Sequence, residues 1–305
     1  MRYFRVGRLA AERRNAAPIA KKKPPKPAAT KLATAPPHTS PPPKVAATTV
    51  LPPTLEFEVM EHGKRLMATD DVGNHPGWLV KVRGGIPENP AIAQNDRVVA
   101  VGLKNGYVAL LKTTSGKQAR RISLGKLETA DGLVLAGDLL IATQGSRITA
   151  HNLETGEQVW ETNLSKREAC GQVSPVVSQA NGLVYIPSGN GNIYALKIES
   201  GKKVWAFRGG AGKQIVQLTL LEEGRHSGLF LAYQKSLYGF KPEDGRELWS
   251  HKYREEGQVL SGFELIPSRP SPTPEYYIVS ADISFGGPIT FKAHDGYALY
   301  GEVDY

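Results

Sequence analysis

The chain has 305 residues and a formal net charge of +9, yet residues 1–50 hold eleven Lys or Arg against the single acid Glu12, and residues 51–305 carry 27 basic and 28 acidic groups, a net of −1. The basic character therefore belongs to a tail and does not describe a nucleic-acid-binding domain surface. A lone cysteine, Cys170, excludes an intramolecular disulfide and a cysteine-based metal site, and no run of eighteen apolar residues is present for a membrane-spanning helix.

Residues 1–53 contain eleven of the twenty-two prolines together with Lys21-Lys22-Lys23 and many Ala and Thr. Such a segment cannot bury enough apolar area to offset its ordering entropy, so an extended, polyproline-like arm is expected here. Its first fifteen residues are Arg-rich, which keeps a mitochondrial targeting role open, although Arg2, Arg5, Arg8, Arg13 and Arg14 do not segregate onto one helical face. Arg13-Arg14 is a twin arginine without the apolar stretch of an export signal. A solvated basic linker is the simplest reading. Lys21, Lys22, Lys23, Lys26 and Lys31 are the candidate partner-binding residues, suited to an acidic protein groove, RNA phosphates or acidic lipid. No aromatic residue is interleaved after Phe4 in this stretch, so base stacking is not indicated.

From residue 54 onward the texture changes to short alternating strands separated by Gly, Asn, Asp and Ser, which is the all-β signature. The hairpin from Leu55 to Met67, closed at Gly63, is expected to be the third and fourth strands of a partial blade. Complete four-strand units are expected over Pro90–Leu124, Gly132–Leu164, Ser174–Phe207, Ile215–Tyr253 and Gly262–Tyr305. In the third of these the strands are placed at Ser174–Gln179, Leu183–Pro187, Ile193–Ile198 and Lys202–Phe207. Pro267 to Pro274 reads as a protruding loop, and Val45–Val50 as a candidate for one missing strand of the partial blade.

One phrase recurs through these units: a strand, a polar turn closed by glycine, and a short strand bearing an aromatic. The best copies are Ile148–Trp160 with Gly156, Ile193–Trp205 with Gly201, and Leu237–Trp249 with Gly245; weaker copies surround Gly116 and Gly296. Glycine supplies the positive φ that such a tight turn needs. Steps of 40, 45, 44 and 51 residues between these glycines give the period of a propeller blade. Glu154-Thr155-Gly156…Trp160, Glu199-Ser200-Gly201…Trp205 and Asp244-Gly245…Trp249 resemble the quinoprotein-type (PQQ-like) β-propeller repeat over roughly residues 55–305. The resemblance implies an all-β propeller with five full blades and a partial sixth, in which Trp160, Trp205 and Trp249 dock between blades.

Two branches share that repeat. The quinone-dependent alcohol and sugar dehydrogenases use eight blades, paired cysteines in many members and a calcium site beside a catalytic aspartate; this chain is short for eight blades and has one cysteine. The non-catalytic branch includes the β-barrel assembly lipoprotein of the bacterial outer membrane, whose signal and lipid-attachment cysteine have no counterpart here. The resemblance to that branch implies a scaffold or adaptor without catalytic residues, metal or cofactor. Its partners would be other proteins of a multi-subunit assembly, and its setting the bacterial envelope or periplasm, with cytoplasm or mitochondrion as alternatives. A dehydrogenase-like propeller enzyme and a ligand-binding sensor are the competing readings.

No other motif carries chemistry. Arg208-Gly-Gly-Ala-Gly-Lys213 lacks the spacing, the hydroxyl residue and the helix of a phosphate loop, and reads as a turn between blades. No Gly-x-Ser-x-Gly elbow occurs. The seven histidines have neither helical i, i+4 pairing nor cysteine partners, and unequal offsets in the repeat place His151, His251 and His294 at the surface. Asp70-Asp71, Glu222-Glu223 and Glu255-Glu256 read as solvated turns, and Asn190-Gly191-Asn192 as a hairpin turn.

Overall fold

The computed structural model describes residues 55–70, 77–125, 128–171, 173–209, 214–223, 226–252, 259–267, 277–284, 289–294 and 297–303. Twenty-three strands form one three-stranded and five four-stranded antiparallel sheets, each drawn from consecutive strands. The three-stranded sheet holds β1 (Leu55–Met60), β2 (Arg65–Asp70) and β3 (Trp78–Lys81). The first full blade holds β4 (Ile92–Gln94), β5 (Val98–Gly102), β6 (Tyr107–Lys112) and β7 (Gln118–Ser123). The second holds β8 (Gly132–Ala136), β9 (Leu139–Gln144), β10 (Arg147–Asn152) and β11 (Gln158–Asn163). The third holds β12 (Val176–Ser178), β13 (Leu183–Pro187), β14 (Asn192–Lys197) and β15 (Lys203–Arg208). The fourth holds β16 (Ile215–Glu223), β17 (His226–Tyr233), β18 (Ser236–Phe240) and β19 (Glu247–Lys252), and the fifth β20 (Val259–Pro267), β21 (Tyr277–Ser284), β22 (Ile289–His294) and β23 (Tyr297–Val303).

Burial explains the sequence texture. The two middle strands of a blade are covered by neighbouring blades on both faces, so they read as apolar runs: Leu183–Pro187 is buried throughout, and Ile193–Leu196 likewise. Outer strands alternate, as in Lys203–Arg208, because one face meets water. Separate apolar clusters fill successive inter-blade spaces. One joins Leu66, Trp78 and Val82 to Val99, Leu103 and Leu111; the next joins Val108, Leu110 and Ile122 to Leu133, Leu140 and Ala142. Two more repeat the arrangement around Ile148, Trp160, Val184 and Leu196, and around Tyr185, Ile193, Leu229 and Tyr238.

The recurring glycine phrase is the hairpin between third and fourth strands. Gly116, Gly156, Gly201 and Gly245 have φ of +63°, +79°, +66° and +70°, the left-handed region where glycine carries no Cβ penalty. Each donates its amide to a carbonyl at the end of the third strand: those of Lys112, Asn152 and Lys197, its last residues, at 2.8 Å, and that of Lys241, one residue beyond β18, at 2.9 Å. A one-residue register shift follows in each ladder, at Leu110/Leu111, Ala150/His151, Ala195/Leu196 and Gly239/Phe240.

The first sheet corrects the expected register. β1 and β2 are not the last two strands of their blade but its second and third, and the fourth is β3. The hydrogen bonds show the equivalence: Val82 N donates to Lys64 O at 3.0 Å as Leu124 N donates to Gly106 O at 3.0 Å and Leu164 N to Ser146 O at 2.7 Å. Gly63 thus closes the turn between second and third strands. The fifth blade starts at Val259, ahead of the expected Gly262. Residues 1–54, with the candidate strand Val45–Val50 and the lysines at 21, 22, 23, 26 and 31, lie outside the described residues, as do Gly296 and the loop after Pro267.

Candidate functional site

Among the described residues, the seams at Gly116, Gly156, Gly201 and Gly245 are each locked by a side chain from one sheet set against the glycine turn of the next. Trp160 donates Nε1–H to Ile198 O at 2.7 Å, and its ring lies so close to Gly201 that an added Cβ would come within 2.5 Å of Cε3. Trp205 donates to Pro242 O at 3.1 Å against Gly245, with the same 2.5 Å approach. The acceptor is in both cases three residues before the glycine. Tyr185 Oη donates to the same Pro242 carbonyl at 3.1 Å and packs against Trp205 in a tilted arrangement at a ring separation of 5.5 Å. Trp249 packs on Gly239 and Phe230 within its own blade; the turn it would meet next, at Gly296, lies outside the described residues.

A third tryptophan lock lies outside the repeated phrase. Trp78 donates Nε1–H to Thr113 O at 2.8 Å, three residues before Gly116, and the Gly116 Cβ position is 2.5 Å from its ring. Residues 71–76, which precede β3, carry no clear copy of the phrase; the tryptophan itself was the available signal. At the second seam the fourth residue after glycine is Arg120. Its stem lies against Gly156 and its Nη1 donates to Thr155 O at 3.1 Å. The three phrase tryptophans are not equivalent in burial: Trp160 is 8% exposed, as is Trp78, whereas Trp205 and Trp249 are half-buried.

Arg147 donates to Gln158 and Glu161 at 2.9 Å each and reaches the Leu124 carbonyl of the preceding blade. Its hydrogen bond holds the Glu161 carboxyl below the usual carboxylate range. Asp131 accepts from Gly145 N at 2.5 Å, while burial pushes its carboxyl above the ordinary value. Burial also pushes the Cys170 thiol up to about 12, which keeps it protonated.

His151 corrects the surface placement given to it. It is 2% exposed and sits on a third strand, with Nε2 3.1 Å from Thr149 Oγ1. It is buried with the rest of the middle of β10, residues 148–151, and desolvation lowers its pKa. The side chains of His251 and His294 lie outside the described set. Glu222 belongs to strand β16, not to a turn, and accepts from Ser178 Oγ and from Asn181 Nδ2 of the preceding blade. It borders a cavity of about 580 Å³ lined by Val134, Val176, Leu218 and Leu220 of the innermost strands. Gly191 makes the expected hairpin turn, whereas residues 210–213 of the glycine-rich run after Arg208 lie outside the described residues. Among the described residues no group of three or more His, Cys, Asp or Glu is placed to hold a metal ion, and no helix is long and apolar enough to cross a membrane.

The family model described as outer membrane protein assembly factor BamB matches residues 144–268. A curated BamB of Yersinia pestis is 24% identical over 188 residues, 57% of this chain and 45% of that protein. The chain spans less than half the length of the curated relatives it matches. Among solved structures, BamB from Moraxella catarrhalis has a TM-score of 0.51 at 16% identity, covering 82% of this chain and 85% of that one. A quinohemoprotein alcohol dehydrogenase from Pseudomonas putida has a TM-score of 0.54 at 12% identity, covering 73% of this chain and 42% of its own. The two structures show the fold alone. The chain is a PQQ-like propeller that resembles BamB.

Proposed function

We propose that this protein is a non-catalytic scaffold subunit of a protein assembly in the bacterial envelope, docking partners through its blade faces, its loops and the basic arm. The observation that carries the reading is the assembly-factor match over residues 144–268. That span runs from the end of β9 to the start of the region after β20, and includes the locks at Trp160 and Trp205. A propeller locked at every described seam is suited to presenting loops in fixed geometry, because binding then costs little ordering entropy. Fold alone does not assign activity, since propellers host enzymes and binders alike.

The test is affinity purification of the full chain from its native envelope followed by mass spectrometry. Stoichiometric envelope proteins that recur across detergents support the scaffold reading; purification as a lone chain overturns it. The dehydrogenase reading has its own assay, calcium- and quinone-dependent reduction of a dye by the purified protein. Turnover there would replace the scaffold reading by an enzymatic one.

A further inference from the structure

The near-neutral body conceals a strong local imbalance. Residues 77–125, which span β3 and the whole first full blade, hold eight Lys or Arg and only two acids, Glu88 and Asp96, a net of +6. Residues 128–168, the second blade and its exit, hold three basic and seven acidic residues, a net of −4. A single charge total would not reveal this, and it gives the first full blade a positive field of its own.

On the rim where β3 leads into the first full blade, part of that charge is gathered around Gly84 and Gly85. The amide of Asn105 and Nη2 of Arg121 lie 3.0 and 3.1 Å from the position a Gly84 Cβ would take, and the stem of Lys104 covers Gly85. Lys104 N donates to Gly85 O at 2.9 Å, fixing the two loops together. Arg83 and Lys104 are exposed beside them. Arg121 is half-buried, with its guanidinium carbon 4.5 Å above the Tyr107 ring. Among the described residues none of these three cations has a carboxylate within ion-pair distance, whereas Arg65, Arg97 and Arg147 each do. Arg121 Nε and Asn105 Oδ1 are shielded from water and have no hydrogen-bond partner among the described residues.

A partly desolvated guanidinium held in place by a ring face and lacking a counter-ion is costly to maintain, and an incoming anion offsets that cost. Resting on the scaffold reading, we propose that Arg83, Lys104, Asn105 and Arg121 form a docking site for an acidic segment of a partner protein. The choice of a peptide follows from the chemistry of the recess. A carboxylate takes the paired donors of Arg121 and the flanking charges of Arg83 and Lys104. Asn105 Nδ2 adds a donor beside Arg121, while its Oδ1 is shielded from solvent. The blade's other lysines, Lys112 and Lys117, sit at the far end of the β6–β7 hairpin, so the charges do not share the single plane that a membrane surface needs.

The full chain is titrated with a labelled twelve-residue peptide of alternating Glu and Gly, read by fluorescence anisotropy. Arg83→Gln with Lys104→Gln is compared with Lys112→Gln with Lys117→Gln, which removes the same charge from the opposite end. A site predicts at least tenfold weaker binding for the first pair and less than threefold for the second, with Arg121→Gln matching the first at an unchanged melting temperature. Equal losses from both pairs, or tighter binding to phosphatidylglycerol vesicles or single-stranded RNA at the same salt, overturn the proposal. The outcome is separable from that of the scaffold reading. Partners recovered undiminished by the first pair reject this site alone, whereas no recovered partner from the wild-type chain rejects the reading beneath it.

Discussion

Removing the indole of Trp160 tests whether the blade seams hold the molecule together. The ring is 8% exposed, donates a 2.7 Å hydrogen bond to Ile198 O and rests on the bare backbone of Gly201. That turn is fixed by its own hydrogen bonds from Gly201 and Lys197, so the surroundings cannot collapse into the space. Trp160→Ala should therefore cost about 4 kcal/mol, within the 3–5 kcal/mol typical of large aromatic deletions, including about 1 kcal/mol for the orphaned carbonyl. At a urea slope of about 3 kcal/mol/M this lowers the midpoint by about 1.3 M. Trp78→Ala should match it. Arg120→Ala, at the equivalent but exposed position, should cost about 1 kcal/mol or less. Gly201→Ala presses on the same ring from the other side and adds strain at φ +66°. In the Trp160→Ala background the ring contact is gone but Thr162 Oγ1, 2.6 Å from the new Cβ, still crowds it, so the penalty should fall yet stay above the conformational cost of about 1 kcal/mol. A midpoint for Trp160→Ala no lower than that for Arg120→Ala would refute the lock.

Three further outcomes are expected. A chain beginning at residue 54 should melt with the full protein in calorimetry yet lose partner affinity; a large fall in melting temperature would mean that the arm contributes to the propeller's core. Among the described residues β1 pairs only with β2, and the amide and carbonyl of its first residue, Leu55, are held by the Gln94 side chain at 3.2 Å. The peptide groups of Phe57 and Val59 face the same open side, so their amides should exchange fast in the isolated protein and slow in the complex as a partner strand adds there. Full protection in the monomer would sink that idea. Finally, buried His151 has a lowered pKa, so the unfolded chain binds its proton first as pH falls. Its contribution is complete above the ordinary value of 6.5 and is lost as pH drops from there through the lowered folded value. Urea midpoints should fall between pH 7.5 and pH 5.5 and fall less in His151→Gln; parallel curves would contradict the sign.

What could be read from residues alone was whatever repeats locally. The hairpin phrase declares itself because glycine is needed at one backbone angle and the bond pattern around Gly116, Gly156, Gly201 and Gly245 spans only a few residues. Strand composition followed from burial on two faces, so Leu183–Pro187 was placed to the residue. The errors arose where meaning depends on distant partners. Gly63 resembles a phrase glycine, but Ile86 and Val82, not an outer strand of its own hairpin, bond to its turn. Trp78 has no phrase around it and is recognisable only by the carbonyl of Thr113 and by Gly116, thirty-five and thirty-eight positions on. His151 reads as a polar residue beside a turn, and its burial follows from lying in the middle of β10, whose residues 148–151 are all covered. The cluster of Arg83, Lys104 and Arg121 is likewise spread over three loops and strands. A turn's torsion angles are chosen within a few residues, whereas docking, burial and the pairing of charge are settled between chain segments that only the assembled sheets bring together.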